Sequence, residues 1–285
     1  MMKKILIIPN KNKDKDLEVS ARVAKILASG GAAVYIEDRY ETTLSNNAEP
    51  VSKIPDNIEL IVVIGGDGSV LDASVFAIEK ELPILGVNLG KLGYLAELDV
   101  DNIGLLNRLF SGEYAVEDKM LLEVSRISNG EIFTSERLAV NDIIISHDTF
   151  LGIADFKLEK SDGECVRYRA DGMIFSTPVG STAYSLSAGG PIVAHGINSI
   201  LVTPIAPHSF FNRSIIFSPR DNLKIKNSSE TELKISVDGR LFAALNTDEE
   251  CLVRTSEKTL KMLSFNQNNN FSALFKKMRN LEDIK

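Results

Sequence analysis

Residues 65–69, Gly-Gly-Asp-Gly-Ser, place one carboxylate among three glycines directly after the apolar run 58–64. Glycines at the exit of a strand let the backbone take positive φ and approach a ligand closely. A helix starting there adds unpaired N–H groups and the positive end of its dipole. Phosphate binds well in such a place. A carboxylate only accepts hydrogen bonds and repels phosphate. Asp67 is therefore read as addressing a hydroxyl, as acceptor or general base, while the amides of Gly66 and Gly68 address phosphate. A turn or helix N-cap aspartate is the competing reading.

A second concentration of chemistry lies at residues 168–193, where Arg169, Asp171, several glycines and a row of hydroxyls share one stretch. A connection this long and polar is read as a ligand loop rather than a plain link between strands. Third, Asn141 and Asp142 interrupt the apolar pattern of 139–146. If buried, they need partners, which a purine edge or ribose diol would supply; a bulge or turn is the alternative. Gly86, Gly90 and Gly93 miss the dinucleotide G-x-G-x-x-G spacing, and no Walker loop, nucleophile elbow or His-based metal motif occurs.

The elements that must position these residues fall into two styles. Over the first hundred or so residues, continuous apolar runs (3–10, 32–38, 58–66, 82–90) alternate with helical spacing. Leu17, Ala21, Ala24 and Ala28 mark one helix, and Leu71, Val75 and Ile78 mark another within 69–81. That alternation predicts a parallel sheet covered on both faces, a Rossmann-like α/β domain. Residues 39–56 are polar and read as a loop. A short helical stretch near 102–112 follows. From about Leu121 the runs become short and alternating, with turn signals at Asn129-Gly130, Asp162-Gly163 and Asp238-Gly239. These predict a mostly antiparallel β domain. The expected division is an α/β domain over 1–115 and a β-rich, dinucleotide-binding domain over 116–267. A C-terminal helix over about 268–285 is expected to pack back on the first.

A net charge of −7 without a long Lys/Arg cluster argues against nucleic acid or an anionic membrane as partner. No apolar stretch approaches the roughly 20 residues a membrane span needs, so the expected location is the cytoplasm. Cys165 and Cys251 stand in no metal-ligand spacing and are expected to be free thiols.

In chain order, GGDGS (65–69), GVNLGKLGYLAEL (86–98), VND (140–142), RADGMIFSTPVGSTAYSLSAGGPI (169–192), PIAPHSFFNR (204–213) and SVDGR (236–240) resemble the NAD kinase family. The GGDG loop alone also occurs in phosphofructokinases and diacylglycerol kinases; the stretch 176–191 is the specific part. The resemblance implies ATP-dependent phosphorylation of the 2′-hydroxyl of the adenosine ribose of NAD, with Mg²⁺ or another divalent metal. A lipid or sugar kinase with the same loop, or a non-catalytic NADP(H)-binding regulator, are the other readings. It further implies that Asp67 is the proton acceptor with Gly66 and Gly68 beside it, and that Asn141 and Asp142 bind the adenosine. Arg169, Asp171, Thr182, Ala183, Tyr184, Ser185, Leu186 and Ser187 are implied as further nucleotide contacts. Partners implied are NAD, ATP or polyphosphate, and a second copy of the chain in a dimer or tetramer. Val179, Tyr94 and Arg240 depart from the usual threonine, phenylalanine and glutamine.

Overall fold

The structure is a computed structural model that describes residues 3–38, 47–90, 95–147, 152–194, 196–208 and 212–265. The chain forms two compact units, one of Met1–Lys119 with the chain from Leu260, the other of Met120–Thr259.

The first unit is built on β1 (Lys4–Pro9), α1 (Glu18–Ser29), β2 (Ala33–Glu37), β3 (Glu49–Val51), β4 (Leu60–Gly65), α2 (Asp67–Glu79), β5 (Ile84–Asn88) and β6 (Leu98–Asp99). A 3₁₀ segment, Val100–Asn107, runs into the one-turn α3, Arg108–Ser111, where a single helix was expected. The strands pair in parallel in the order β3-β2-β1-β4-β5-β6, and Met262 pairs in parallel with Ile84. Every residue of β4 is buried, which is why these strands read as unbroken apolar runs. Ile5, Ile7, Val62, Ile64, Leu85 and Val87 face Val23, Ala24 and Leu27 of α1 and Leu106 of the 3₁₀ segment. The alternate residues point the other way, where α2 buries Val70, Ala73 and Ala77. The chain leaves central β1 towards β2 on one side and reaches β4 on the other. The strand order therefore reverses at the β1–β4 pair, where open α/β sheets place ligands.

Two local results differ from expectation. The segment 39–56, read as a loop, contains β3, paired in parallel with β2; residues 39–46 lie outside the described set. α2 starts at Asp67 rather than at Ser69. The expected C-terminal helix and Tyr94 also lie outside the described residues.

The second unit holds most of β7 (Ala115–Ser128), then β8 (Glu131–Thr134), β9 (Asp142–Ser146), β10 (Ala154–Lys160), β11 (Cys165–Ala170), β12 (Gly172–Ser176), the one-turn α4 (Tyr184–Ser187), β13 (Ile200–Ile205), β14 (Ile215–Phe217), β15 (Leu223–Asn227), β16 (Leu233–Val237), β17 (Arg240–Leu245) and most of β18 (Glu250–Ser264); the start of β7 and the end of β18 belong to the first unit. Its strand pairs are antiparallel. β14-β13-β12-β9-β16-β17 form one sheet, and β11-β10-β15-β18 form a second run. Between them Ile143, Ile145, Phe175, Val202 and Ile235 meet Phe156, Leu158, Ile225 and Val253 in one core. The fold is thus an α/β domain with a parallel sheet followed by a mostly antiparallel β domain.

Candidate active site

In the first unit the Asp67 carboxylate does not cap the helix. Gly66 is the N-cap, no side-chain cap bond forms, and Asp67 is the first helical residue. Its Oδ1 instead accepts the backbone N–H of Leu95 at 3.1 Å, and the side chain stays half-exposed. A carboxylate in a first helical turn faces the positive end of the helix dipole.

The glycines serve space rather than conformation, contrary to expectation. None of Gly65, Gly66 and Gly68 has positive φ; Gly66 sits at φ −127°, ψ −171°, which any residue adopts. A Cβ on Gly65 would meet Ser69 Oγ at 2.3 Å, and one on Gly66 would meet Lys13 Nζ at 2.6 Å. A Cβ on Gly68 would meet nothing within 4 Å, so this exposed position opens outward.

In the second unit β9 and β12 pair antiparallel with Ser176 opposite Asp142, which brings the start of β9 beside the loop leaving β12. Thr177 fastens them: its N–H donates to Asn141 O at 2.9 Å and its hydroxyl to Val140 O at 2.6 Å. The same hydroxyl accepts the Gly180 N–H at 3.0 Å. Gly180 lies so close that a Cβ there would fall 1.9 Å from Asn141 O. From the β16–β17 turn, the Asp238 carboxylate accepts the N–H groups of Val140, Asn141 and Asp142 at 2.9, 2.8 and 3.1 Å.

The backbones of Asn141 and Asp142 are thus pinned while their side chains receive no hydrogen bond from the described residues. Asp142 is buried, and burial first, then the Asp238 charge, pushes its carboxyl up to about 7. Burial also raises Asp238, opposed by the three N–H donors. A buried carboxyl with no hydrogen-bond partner among the described residues is a place for a ligand hydroxyl or amine.

The loop 177–190 presents its sequence-predicted residues unequally. Thr182 and Ala183 are half-buried, with the Thr182 hydroxyl donating to Val179 O at 3.1 Å. Tyr184, Leu186 and Ser187 are exposed. Ser185 is fully buried, its hydroxyl 2.9 Å from that of Thr203, which is 3.0 Å from that of Ser214. Ser185 therefore fastens the loop to β13 through its side chain.

Arg169 and Asp171 stand elsewhere. Asp171 precedes β12 and Thr177 follows it, so they lie at opposite ends of the strand, about 20 Å apart at ~3.3 Å per residue. Arg169 O accepts the His208 N–H at 2.7 Å, and His208 Nε2 is 3.7 Å from Asp171 Oδ1, all on an exposed edge.

Family models match both units: the ATP-NAD kinase N-terminal domain over residues 5–114 and the ATP-NAD kinase C-terminal domain over residues 140–265. The chain belongs to the ATP-NAD kinase family. The NAD kinase of Lachnoclostridium phytofermentans is 36% identical over 273 residues, 92% of this chain and 94% of its own. That of Caldanaerobacter subterraneus subsp. tengcongensis is 35% identical over 281 residues, 97% and 99% of the two chains. Among solved structures, yeast NADH kinase complexed with NADH shares the fold at TM-score 0.82 and 23% identity, covering 100% of this chain and 88% of that one. An NAD kinase from Archaeoglobus fulgidus in complex with ATP does so at TM-score 0.74 and 24% identity, covering 97% and 98%. The function is accordingly that of the NAD kinase family, phosphoryl transfer from ATP to NAD.

Within this NAD kinase framework, two supporting residues were missed from sequence. Asp238 was read as half of a turn and as part of the SVDGR stretch, with no role of its own, and its left-handed φ of 46° beside Gly239 at 74° bears out the turn. Nothing in a hairpin signal tells which backbone the side chain will take. Lys13 lies in a Lys/Asn/Asp-rich segment that looks like any solvated loop, and only the sheet topology brings its ammonium to Gly66.

Proposed function

We propose that Asp67 accepts the proton of the adenosine 2′-hydroxyl of NAD while Asn141 and Asp142 hold the adenosine. The observation that carries this is the pair in the second unit: backbones fixed by Asp238 and Thr177, side chains without hydrogen-bond partners among the described residues. Tyr184, Thr182, Ala183, Leu186 and Ser187 on the adjoining loop complete the nucleotide contacts, and buried Ser185 keeps that loop in place. In the first unit the N–H groups of Asp67 and Gly68, in a first helical turn without intrahelical acceptors, receive phosphate.

Phosphoryl transfer passes through a loose transition state, so alignment and charge neutralisation supply most of the rate. Asp67 then orients the hydroxyl and takes its proton late. Among the described residues no three His, Cys, Asp or Glu side chains gather as a metal cage. Mg²⁺ fits this donor set all the same, because it commonly keeps waters and substrate phosphates with one or two carboxylates. Asp67, half-exposed at the phosphate loop, is the carboxylate that would meet it, and the ion would screen the phosphate charge.

Self-association completes the reading. Arg169 and Asp171 sit at the far end of β12 from Asn141, so they serve the nucleotide of a second copy. Ile216 and Leu241 offer exposed apolar contact on β14 and β17, the edge strands of that sheet. A cytoplasmic location fits the two free cysteines and the lack, among described residues, of a helix long and apolar enough to cross a membrane. A coupled assay with NAD, ATP and Mg²⁺ tests the reaction: NADP should form in wild type, and its absence would overturn the function. Mixing Asp67→Asn with Asp171→Ala, each depleted in activity alone, should regain activity if the site is shared between copies, and stay depleted if it is not.

A further inference from the structure

Lys13 stands in the loop leaving β1, opposite the Gly-Gly-Asp-Gly loop leaving β4, and these strands flank the reversal point of the parallel sheet. Asn10 ties the two loops together. Its N–H donates to Ile64 O at 2.8 Å, and its side-chain amide to Ser69 Oγ at 2.7 Å. Its carbonyl accepts the N–H groups of Lys13 and Asp14 at 3.0 and 2.8 Å. The next residue is fixed as well: buried Asp14 accepts the N–H of Ser20 at 2.9 Å and its hydroxyl at 2.6 Å, at the start of α1.

On this anchored turn the Lys13 ammonium reaches over Gly66, filling the space of the missing Cβ, and lies 3.9 Å from a Cβ placed on Gly90. No ion pair to a described carboxylate holds it there. Because Gly66 has backbone torsions open to any residue, its lack of a side chain is explained by the room it leaves for that ammonium. A cation set beside helix N–H groups, at the reversal point of an α/β sheet, has the chemistry of a phosphate clamp.

We propose that Lys13 binds the triphosphate of the donor and neutralises it during transfer, beside Asp67. This rests on Asp67 marking the phosphoryl-transfer site. It deepens that reading by assigning the donor side to one residue that the loop motif does not contain. Lys13 itself is exposed, so Lys13→Met should leave the melting temperature unchanged.

The test is steady-state kinetics of Lys13→Met and Lys13→Arg with ATP and NAD varied separately, together with calorimetric titration of inorganic tripolyphosphate. A lost charge-assisted contact is typically worth a 10- to 100-fold change. Lys13→Met should raise KM for ATP, or lower kcat/KM for ATP, by that factor, while KM for NAD moves less than about 3-fold. Lys13→Arg should recover most of the loss, and tripolyphosphate binding should weaken in parallel. Unchanged ATP kinetics in Lys13→Met, or equal losses for ATP and NAD, would overturn the proposal. An inactive wild type would strike at the function itself. Even then, equal tripolyphosphate affinity in wild type and Lys13→Met would refute the clamp, and weaker binding by the variant would uphold it.

Discussion

Asp238 and Asp142 hold each other in both directions: the Asp142 N–H donates to Asp238 Oδ1 at 3.1 Å, and the Asp238 N–H donates to Asp142 O at 2.9 Å. With Val140 and Asn141 also donating to it, one carboxylate serves three consecutive N–H groups. This brace holds the backbone around a buried acid, Asp142, whose side chain takes no hydrogen bond from the described residues.

Asp238→Asn keeps the shape but leaves one carbonyl oxygen for three donors. A buried donor left unsatisfied costs about 1–3 kcal/mol. We expect a lower melting temperature and NAD affinity weakened about 10-fold or more, read by thermal denaturation and calorimetry. Unchanged affinity with lowered stability would reduce Asp238 to a scaffold residue.

Gly180 is the second brace. A Cβ 1.9 Å from the Asn141 carbonyl oxygen cannot be accommodated without separating the loop from β9. Gly180→Ala should break the Thr177 bonds to Val140 and Asn141, at a cost of about 1–3 kcal/mol from overpacking. Chemical denaturation should show the loss, and NAD binding should fall with it. Gly68→Ala, which meets nothing within 4 Å, is the contrast and should retain full stability.

Much of the framework was legible from sequence because it rests on local rules. β4 is buried along its whole length and reads as an apolar run, and the turn at Asp238-Gly239 announces itself by residue type. β3 was not legible: three residues around Pro50, partly exposed, carry no alternation, and only pairing with β2 makes them a strand. At the candidate site, residue type alone drew attention to Asp67, Asn141 and Asp142, because a carboxylate among glycines and a polar pair in an apolar run stand out locally. The reason for the glycines was misread, since contact with Lys13 and Ser69 depends on how distant loops meet rather than on local torsion. The separation of Arg169 and Asp171 from Asn141 was equally hidden, because neighbours in a motif can lie at opposite ends of a strand.

Asp142 gives a pH prediction. Its folded carboxyl is raised to about 7 from an ordinary 3.8, so the folded state holds the proton more tightly than the unfolded chain. The stability this contributes is fully present below about pH 4 and is lost as pH rises through about 7. Wild type should therefore melt progressively lower between pH 4 and pH 8 relative to Asp142→Asn, by on the order of 5 °C. Parallel pH profiles of the two proteins would place the proton elsewhere.

The last prediction concerns Asp67. A carboxylate is a weak base for an alcohol, so in the proposed role Asp67 would act by aiming the 2′-oxygen and receiving the proton late. Asp67→Asn is the informative change: the amide oxygen can still accept the Leu95 N–H, leaving the start of α2 undisturbed. Turnover should fall by about 10²- to 10⁴-fold, the usual range for a positioned acid or base, while NAD affinity by calorimetry stays within about 3-fold. Asn141→Ala should do the reverse, weakening NAD binding while leaving turnover at saturating NAD largely intact. Near-normal turnover in Asp67→Asn would remove Asp67 from proton transfer. Equal losses of affinity in the two variants would mean that Asp67 holds the nucleotide rather than the reacting hydroxyl.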